Sequence, residues 1–227
     1  MFHVKHSKSE TELLYNELST LGIEIDRSVI DQCADYWKLL REASVRFNII
    51  SENAVQQGPL RHIGDSLAAL IRWPSASSDR LLDIGSGGGL PGLPLAIARP
   101  RAETLLLEPK EKKRDWLLAT IIKLGLQDRV TVAGGRIEKW HISDLEGFEM
   151  VTARAVAPPP RLFRWVLPAL GPDSQLLLWH SQQQKNAIID SLKNRFGGRL
   201  FKLNYTLSCT YESIDFSSHI SNISEVR

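Results

Sequence analysis

The residues with the clearest chemical purpose sit in one stretch, Leu81-Leu-Asp-Ile-Gly-Ser-Gly-Gly-Gly-Leu-Pro-Gly-Leu-Pro-Leu95. An apolar run ends at Asp83, crosses Gly85, Gly87, Gly88 and Gly89, and enters a helix near Pro91. Glycine tolerates positive φ and lets a backbone approach a ligand with no Cβ in the way. Proline suits a first helical turn, where its missing N–H would have no partner. Such a loop at the carboxyl end of a parallel strand is a place for a nucleotide-like ligand.

Two ligands fit it. From Gly87 the segment satisfies G-x-G-x-x-G through Gly89 and Gly92, the dinucleotide pattern, which by itself is weak. From Asp83 it reads D-x-G-x-G-x-G, a pattern of S-adenosylmethionine sites. The second reading suits the chemistry better. That cofactor has an ammonium group that welcomes a carboxylate, and it has no pyrophosphate for Asp83 to repel. Glu108 closes the next apolar run, Thr104–Glu108, twenty-three residues beyond Gly85. An acid at this spacing accepts hydrogen bonds from ribose hydroxyls. Both cofactors use that device, so Glu108 calls for an adenosine ligand without choosing between them.

The rest of the chain offers few other catalysts. Methylation at C5 of a pyrimidine needs a cysteine nucleophile, and neither Cys33 nor Cys209 follows a strand on the substrate side. Exocyclic amine methylation usually relies on Asn/Asp-Pro-Pro-aromatic after the fourth strand. Here that strand leads into Thr152-Ala-Arg-Ala-Val-Ala-Pro-Pro-Pro160, with Arg154 in place of the amide. A ring nitrogen such as guanine N7 keeps a free lone pair, so positioning in line with the methyl donor can carry the reaction.

These parts need a scaffold. From residue 80 on, short apolar runs (81–84, 104–107, 130–133, 150–153, 176–179) alternate with helical stretches (93–99, 112–124, 162–170, 187–196). Alternation of this kind predicts βαβ units and a mostly parallel sheet. Two β-like segments, 201–207 and 210–216, form an antiparallel edge. The first 75 residues read as helices instead, with Leu13, Leu14, Leu18 and Leu21 on one stripe. Ile30, Cys33, Trp37 and Leu40 form a second stripe behind Asp26, a candidate cap. A third short helix, 62–71, stops at Trp73-Pro74. The expected fold is therefore α/β and Rossmann-like, preceded by a helical region over 1–75. The catalytic domain spans 76–216, and 217–227 is a poorly ordered tail. Ser75-Ala-Ser-Ser-Asp79 is the linker.

Charge and composition bound the partners. The net charge is +2, with 43% hydrophobic and 24% charged residues. Residues 1–75 carry −2, 76–149 carry zero and 150–227 carry +4. Near-neutrality argues against indiscriminate nucleic-acid binding and leaves room for a local basic face. A basic run, Lys110-Glu-Lys-Lys-Arg114, opens the helix after Glu108, and Arg136, Arg154, Arg161 and Arg164 follow later. Lys112, Arg136 and Arg154 come just after strands, so they converge on the ligand-binding rim. Two distant cysteines make no disulfide framework or metal knuckle. No apolar run approaches the roughly 18 residues of a membrane span, and Met1–Glu10 has no secretory core. A cytoplasmic enzyme without a metal is expected.

Several of these segments together carry a resemblance. Asp83–Leu95 with its Pro-Gly-Leu-Pro-Leu helix, Gly135-Arg-Ile-Glu138 and Thr152–Ala157 resemble the RsmG (GidB) family, bacterial 16S ribosomal RNA guanine-N7 methyltransferases. Met1-Phe-His-Val-Lys-His6, Phe47-Asn48 and His62-Ile-Gly-Asp-Ser-Leu67 are similar to its N-terminal pattern. The resemblance implies a class I methyltransferase fold using S-adenosylmethionine on RNA of the small ribosomal subunit. It implies cofactor contacts from Gly85, Gly87, Gly89, Leu90 and Glu108, with Ile137 and Glu138 flanking the adenine. Arg154 would lie beside the methyl donor as the catalytic residue, and Lys112, Arg136 and Arg161 would touch RNA. His62 and Asp65 would serve packing and hydrogen bonding. Where the family has Lys-Gly after the fifth strand, this chain has Leu178-Trp179-His180. The alternatives are a nicotinamide-dependent dehydrogenase and a non-catalytic, cofactor-binding factor of the ribosome.

Overall fold

The computed structural model describes residues 8–73, 80–141, 147–171, 173–196, 198, 200–211 and 216–226. The expected linker 75–79 and the opening Met1–His6 lie outside the described residues.

Seven strands form one sheet: β1 (Arg80–Ile84), β2 (Glu103–Leu107), β3 (Val130–Ala133), β4 (Met150–Arg154), β5 (Gln175–His180), β6 (Phe201–Tyr211) and β7 (Phe216–Glu225). Their order is β3-β2-β1-β4-β5-β7-β6, with β1 to β5 parallel and β7 antiparallel to both neighbours. Strand order reverses between β1 and β4, the crevice where open α/β sheets bind ligands. β1 is almost wholly buried, as a parallel strand covered on both faces must be.

One face is covered by α1 (Lys8–Thr20), α2 (Arg27–Phe47), α5 (Gly92–Ala98) and α6 (Glu111–Lys123). The other is covered by α7 (Pro159–Val166) and α8 (Lys185–Leu192). Between α2 and β1 lie α3 (Glu52–Gln56) and an irregular helix. In the latter a π turn, Leu60–Gly64, runs into the α-helical turn α4 (Asp65–Leu67) and a 3-10 turn, Ala68–Arg72.

The N-terminal helices share a core with the sheet. Leu14, Leu18, Trp37 and Leu40 belong to the same apolar cluster as Leu81, Leu93, Leu106 and Leu177. α2 buries Ile30, Cys33, Tyr36, Trp37, Leu40 and Ser44 along one stripe, the helical spacing of a core-facing surface. Asp26 occupies its N-cap position, yet its side chain makes no capping hydrogen bond.

The C-terminal end departs from expectation. Strands were expected at 201–207 and 210–216, with 217–227 poorly ordered. Instead β6 runs to Tyr211, and β7 spans Phe216–Glu225 between β5 and β6. Pairing on both edges satisfies the β7 backbone, so a polar sequence (Phe-Ser-Ser-His-Ile-Ser-Asn-Ile-Ser-Glu) is held in the sheet.

Candidate active site

The glycine loop hangs from the end of β2. The Gly85 and Ser86 N–H groups both donate to the Leu107 carbonyl, at 2.8 and 3.1 Å. Gly85, Gly87 and Gly89 have φ of 70°, 56° and 94°, left-handed values that a side chain disfavours. At Gly85 an added Cβ would lie 2.8 Å from Val156 Cγ2. The loop therefore needs glycine there for close packing against the segment after β4.

Beside this loop opens a cleft of about 460 Å³, within the size range of small-molecule sites. Gly85 and Gly87 form one wall, Glu108, Lys110 and Lys113 another, and Arg136, Ile137 and Glu138 a third. Ala155, Val156, Arg161 and Trp165 close the fourth side. Ala155 has φ of 55°, a strained value for a residue with a Cβ and one that recurs at functional sites.

Glu108 is 4% exposed. Its Oε2 accepts from the Gly87 N–H and its Oε1 from the Lys110 N–H, both at 2.8 Å. Two fixed donors orient the carboxylate, and each oxygen keeps a further lone pair for a ligand hydroxyl. Ile137 is buried, and Glu138 makes a 3.8 Å ion pair with Arg136. The Arg161 guanidinium stacks 4.9 Å over the Trp165 ring.

Other candidates lie elsewhere. Gly89 turns inward, where an added Cβ would meet Leu93 and the Tyr36 hydroxyl, and Leu90 packs on the N-terminal core. Neither lines the cleft. Lys112 also points away: its Nζ lies 5.4 Å over the Phe47 ring, in a groove between α2 and α6. Lys113 takes the cleft position instead, one step (about 100°) around α6. Asp83 does not face a ligand ammonium. It is fully buried, accepting from Thr152 Oγ1 at 2.8 Å and from the Gly92 N–H at 3.2 Å. Burial pushes its carboxyl up to about 6.

Arg154 ends β4 outside the cleft lining, on the face covered by the N-terminal helices. Its Nη2 lies 3.2 Å from Asp65 Oδ2 and 3.3 Å from His62 Nδ1. Its Nη1 is buried without a hydrogen-bond partner, a costly state for a charged donor. His62 stacks on Trp37 and bonds through Nε2 to the Ala54 carbonyl at 2.8 Å. Burial, reinforced by the Arg154 charge, lowers the imidazole to about 4. His62 is thus neutral near pH 7, with Nε2 as donor and Nδ1 as acceptor. His62 and Asp65 do pack and hydrogen-bond, as the family resemblance implies, and nothing in the sequence joins them to Arg154. Lys110 and Lys113 belong to the basic run that the sequence places after Glu108, although Lys112 alone of that run is the residue assigned to RNA; Trp165 has no assignment there. For Trp165 a signal existed, its i+4 spacing from Arg161 on one helix.

Family comparison gives this geometry its setting. The family described as GidB, rRNA small subunit methyltransferase G, matches residues 29–206. The chain belongs to this family. A ribosomal RNA small subunit methyltransferase G of Chlorobium luteolum is 32% identical over 190 residues, covering 83% of this chain and 77% of the relative. One from Sorangium cellulosum is 37% identical over 176 residues, covering 77% and 73%. Among solved structures, the mitomycin 7-O-methyltransferase MmcR superposes with TM-score 0.59 at 15% identity, over 95% of this chain and 67% of that one. The glycopeptide N-methyltransferase MtfA, complexed with S-adenosylmethionine, gives 0.56 at 11% identity, over 72% and 94%. At those identities the structures show the shared fold alone.

Membership in the GidB family makes the chain an rRNA methyltransferase with S-adenosylmethionine as cofactor, and removes the dehydrogenase and non-catalytic alternatives. The residues fit that cofactor. Buried Glu108 suits a ribose diol, Ile137 an adenine ring, and the unpartnered Arg154 Nη1 an anionic group. Among the described residues no helix is long and apolar enough to cross a membrane.

Proposed function

We propose that this chain methylates N7 of a guanine in 16S ribosomal RNA, presented by the small ribosomal subunit in the cytoplasm. The observation that carries this reading is the cleft itself. It lies at the strand-order reversal, holds an oriented buried carboxylate, and is rimmed by cations with no cysteine or histidine among its described lining residues.

The cofactor, when bound, supplies a sulfonium methyl group that is electrophilic as it stands. Glu108 accepts from the ribose hydroxyls, held in place by the Gly87 and Lys110 N–H groups. Ile137 and Glu138, which line the same cleft, would flank the adenine. Gly85 and Gly87 bring the backbone close to the cofactor. Arg154, at the strand end next to cleft residues Ala155 and Val156, would offer its unpartnered Nη1 to the carboxylate of the cofactor's amino-acid end.

Guanine N7 needs no base to prepare it, so alignment supplies the catalysis. Arg136 and Arg161, with Lys110 and Lys113, meet phosphates at the mouth and set the approach of the RNA. They position the strand while base contacts choose the nucleotide.

Small subunits lacking the modification, incubated with this chain and methyl-labelled S-adenosylmethionine, test the proposal. Mass spectrometry of nuclease fragments should place the label on N7 of one guanine of 16S RNA. Label on another atom, another base or another RNA would overturn it.

A further inference from the structure

The guanidinium of Arg154 is held by two residues from outside the methyltransferase sheet. Asp65 and His62 stand on the irregular helix that precedes β1, and both contact the same nitrogen, Nη2. Both are themselves fixed. Asp65 is 2% exposed, and its backbone carbonyl accepts from Trp179 Nε1 at 3.3 Å. His62 is clamped between the Trp37 ring and the Ala54 carbonyl.

A neutral His62 is needed here, because an imidazolium would present a second donor to a guanidinium that can only donate. With Nη2 engaged twice, the rotation of the planar group is set. Nη1 is left buried and unpartnered. Arg154 is the last residue of β4, and the two residues that follow it, Ala155 and Val156, line the cleft. The unpartnered nitrogen therefore belongs to the strand end that borders the cleft.

We propose that Asp65 and His62 are positioning residues for cofactor binding. They lock Arg154 so that Nη1 is presented to the cofactor carboxylate before the cofactor arrives. The helical N-terminal region then completes the cofactor site as well as packing against it. This inference rests on the carboxylate role given to Arg154 above.

Calorimetric titration of the full chain with two ligands tests it. S-adenosylhomocysteine carries the carboxylate; methylthioadenosine has the same nucleoside without the amino-acid end. Asp65→Asn should weaken S-adenosylhomocysteine about tenfold, the loss of roughly one charge-assisted contact, and leave methylthioadenosine within about twofold. His62→Asn, which keeps an acceptor near Nδ1, should weaken it less than His62→Ala. The double variant Asp65→Asn/Arg154→Ala should bind no worse than Arg154→Ala, since a lock has no effect without its key.

If Arg154→Ala weakens S-adenosylhomocysteine but Asp65→Asn and His62→Ala do not, the positioning role fails and the Arg154 assignment stands. If Arg154→Ala itself changes nothing, the carboxylate assignment fails. Equal losses for both ligands would mean that Asp65 acts through the fold, which also overturns the proposal. Should Asp65→Asn fold poorly by thermal melting, the His62 pair carries the same comparison.

Discussion

Asp83 on β1 and Thr152 on β4 are register partners across the strand-order reversal, and Thr152 Oγ1 donates to Asp83 Oδ1 at 2.8 Å. With the Gly92 N–H on its other oxygen, this buried carboxylate ties the two central strands to the start of α5. The acid of the glycine motif thus holds the loop from behind and does not greet the ligand.

That burial has a pH signature. Desolvation raises the Asp83 carboxyl from 3.8 to about 6, so between those values the folded chain binds more protons than the unfolded one. Its contribution to stability falls as pH rises through that window. His62 acts oppositely. Its pKa drops from 6.5 to about 4, so its contribution rises with pH over nearly the same range. In the wild type the two slopes largely offset one another. Asp83→Asn should expose the His62 slope, with stability increasing from pH 4 to 6.5. His62→Gln should expose the Asp83 slope, with stability decreasing. Denaturant melts across that range check the signs, and parallel profiles for the two variants would contradict the assignment.

Glu108 orders the backbone at both Gly87 and Lys110. Glu108→Ala should leave two N–H groups short of acceptors at about 1–3 kcal/mol each, and remove the ribose contact. Affinity for S-adenosylhomocysteine is expected to fall by roughly a hundredfold, with Glu108→Gln intermediate. Unchanged affinity in the alanine variant would remove Glu108 from the site.

At Gly85 two costs coincide, a φ of 70° and a Cβ that would meet Val156. Gly85→Ala is expected to destabilise the chain by about 1–3 kcal/mol. Adding Val156→Ala relieves the contact but not the backbone, so it should recover only part of the loss. Full recovery in the thermal melt would show that φ contributes nothing.

Lys112 and Lys113 offer a test of helix roll. Lys113→Ala, Arg136→Ala and Arg161→Ala should each weaken RNA substrate several-fold and lower the salt slope by about one. Lys112→Ala, whose ammonium sits over Phe47, should change both less. Filter binding at several salt concentrations makes the comparison, and an equal effect from Lys112 would place RNA over the α2–α6 groove as well.

The sequence by itself determined what is local. Five apolar runs, punctuated by glycine, proline and charge, specify β1 to β5, and a strand, a glycine turn and Glu108 specify a nucleoside site. Conformational demands on neighbouring residues write such features directly into residue types. Tertiary structure decided what depends on distant partners. It chose Lys113 over Lys112 through the roll of α6, and turned Asp83 inward onto Thr152. It brought His62 and Asp65, some ninety residues upstream, onto Arg154. It also paired the polar stretch 216–225 between β5 and β6. In each case the deciding energy is a contact between segments far apart along the chain, and single-segment periodicity carries no record of the other side.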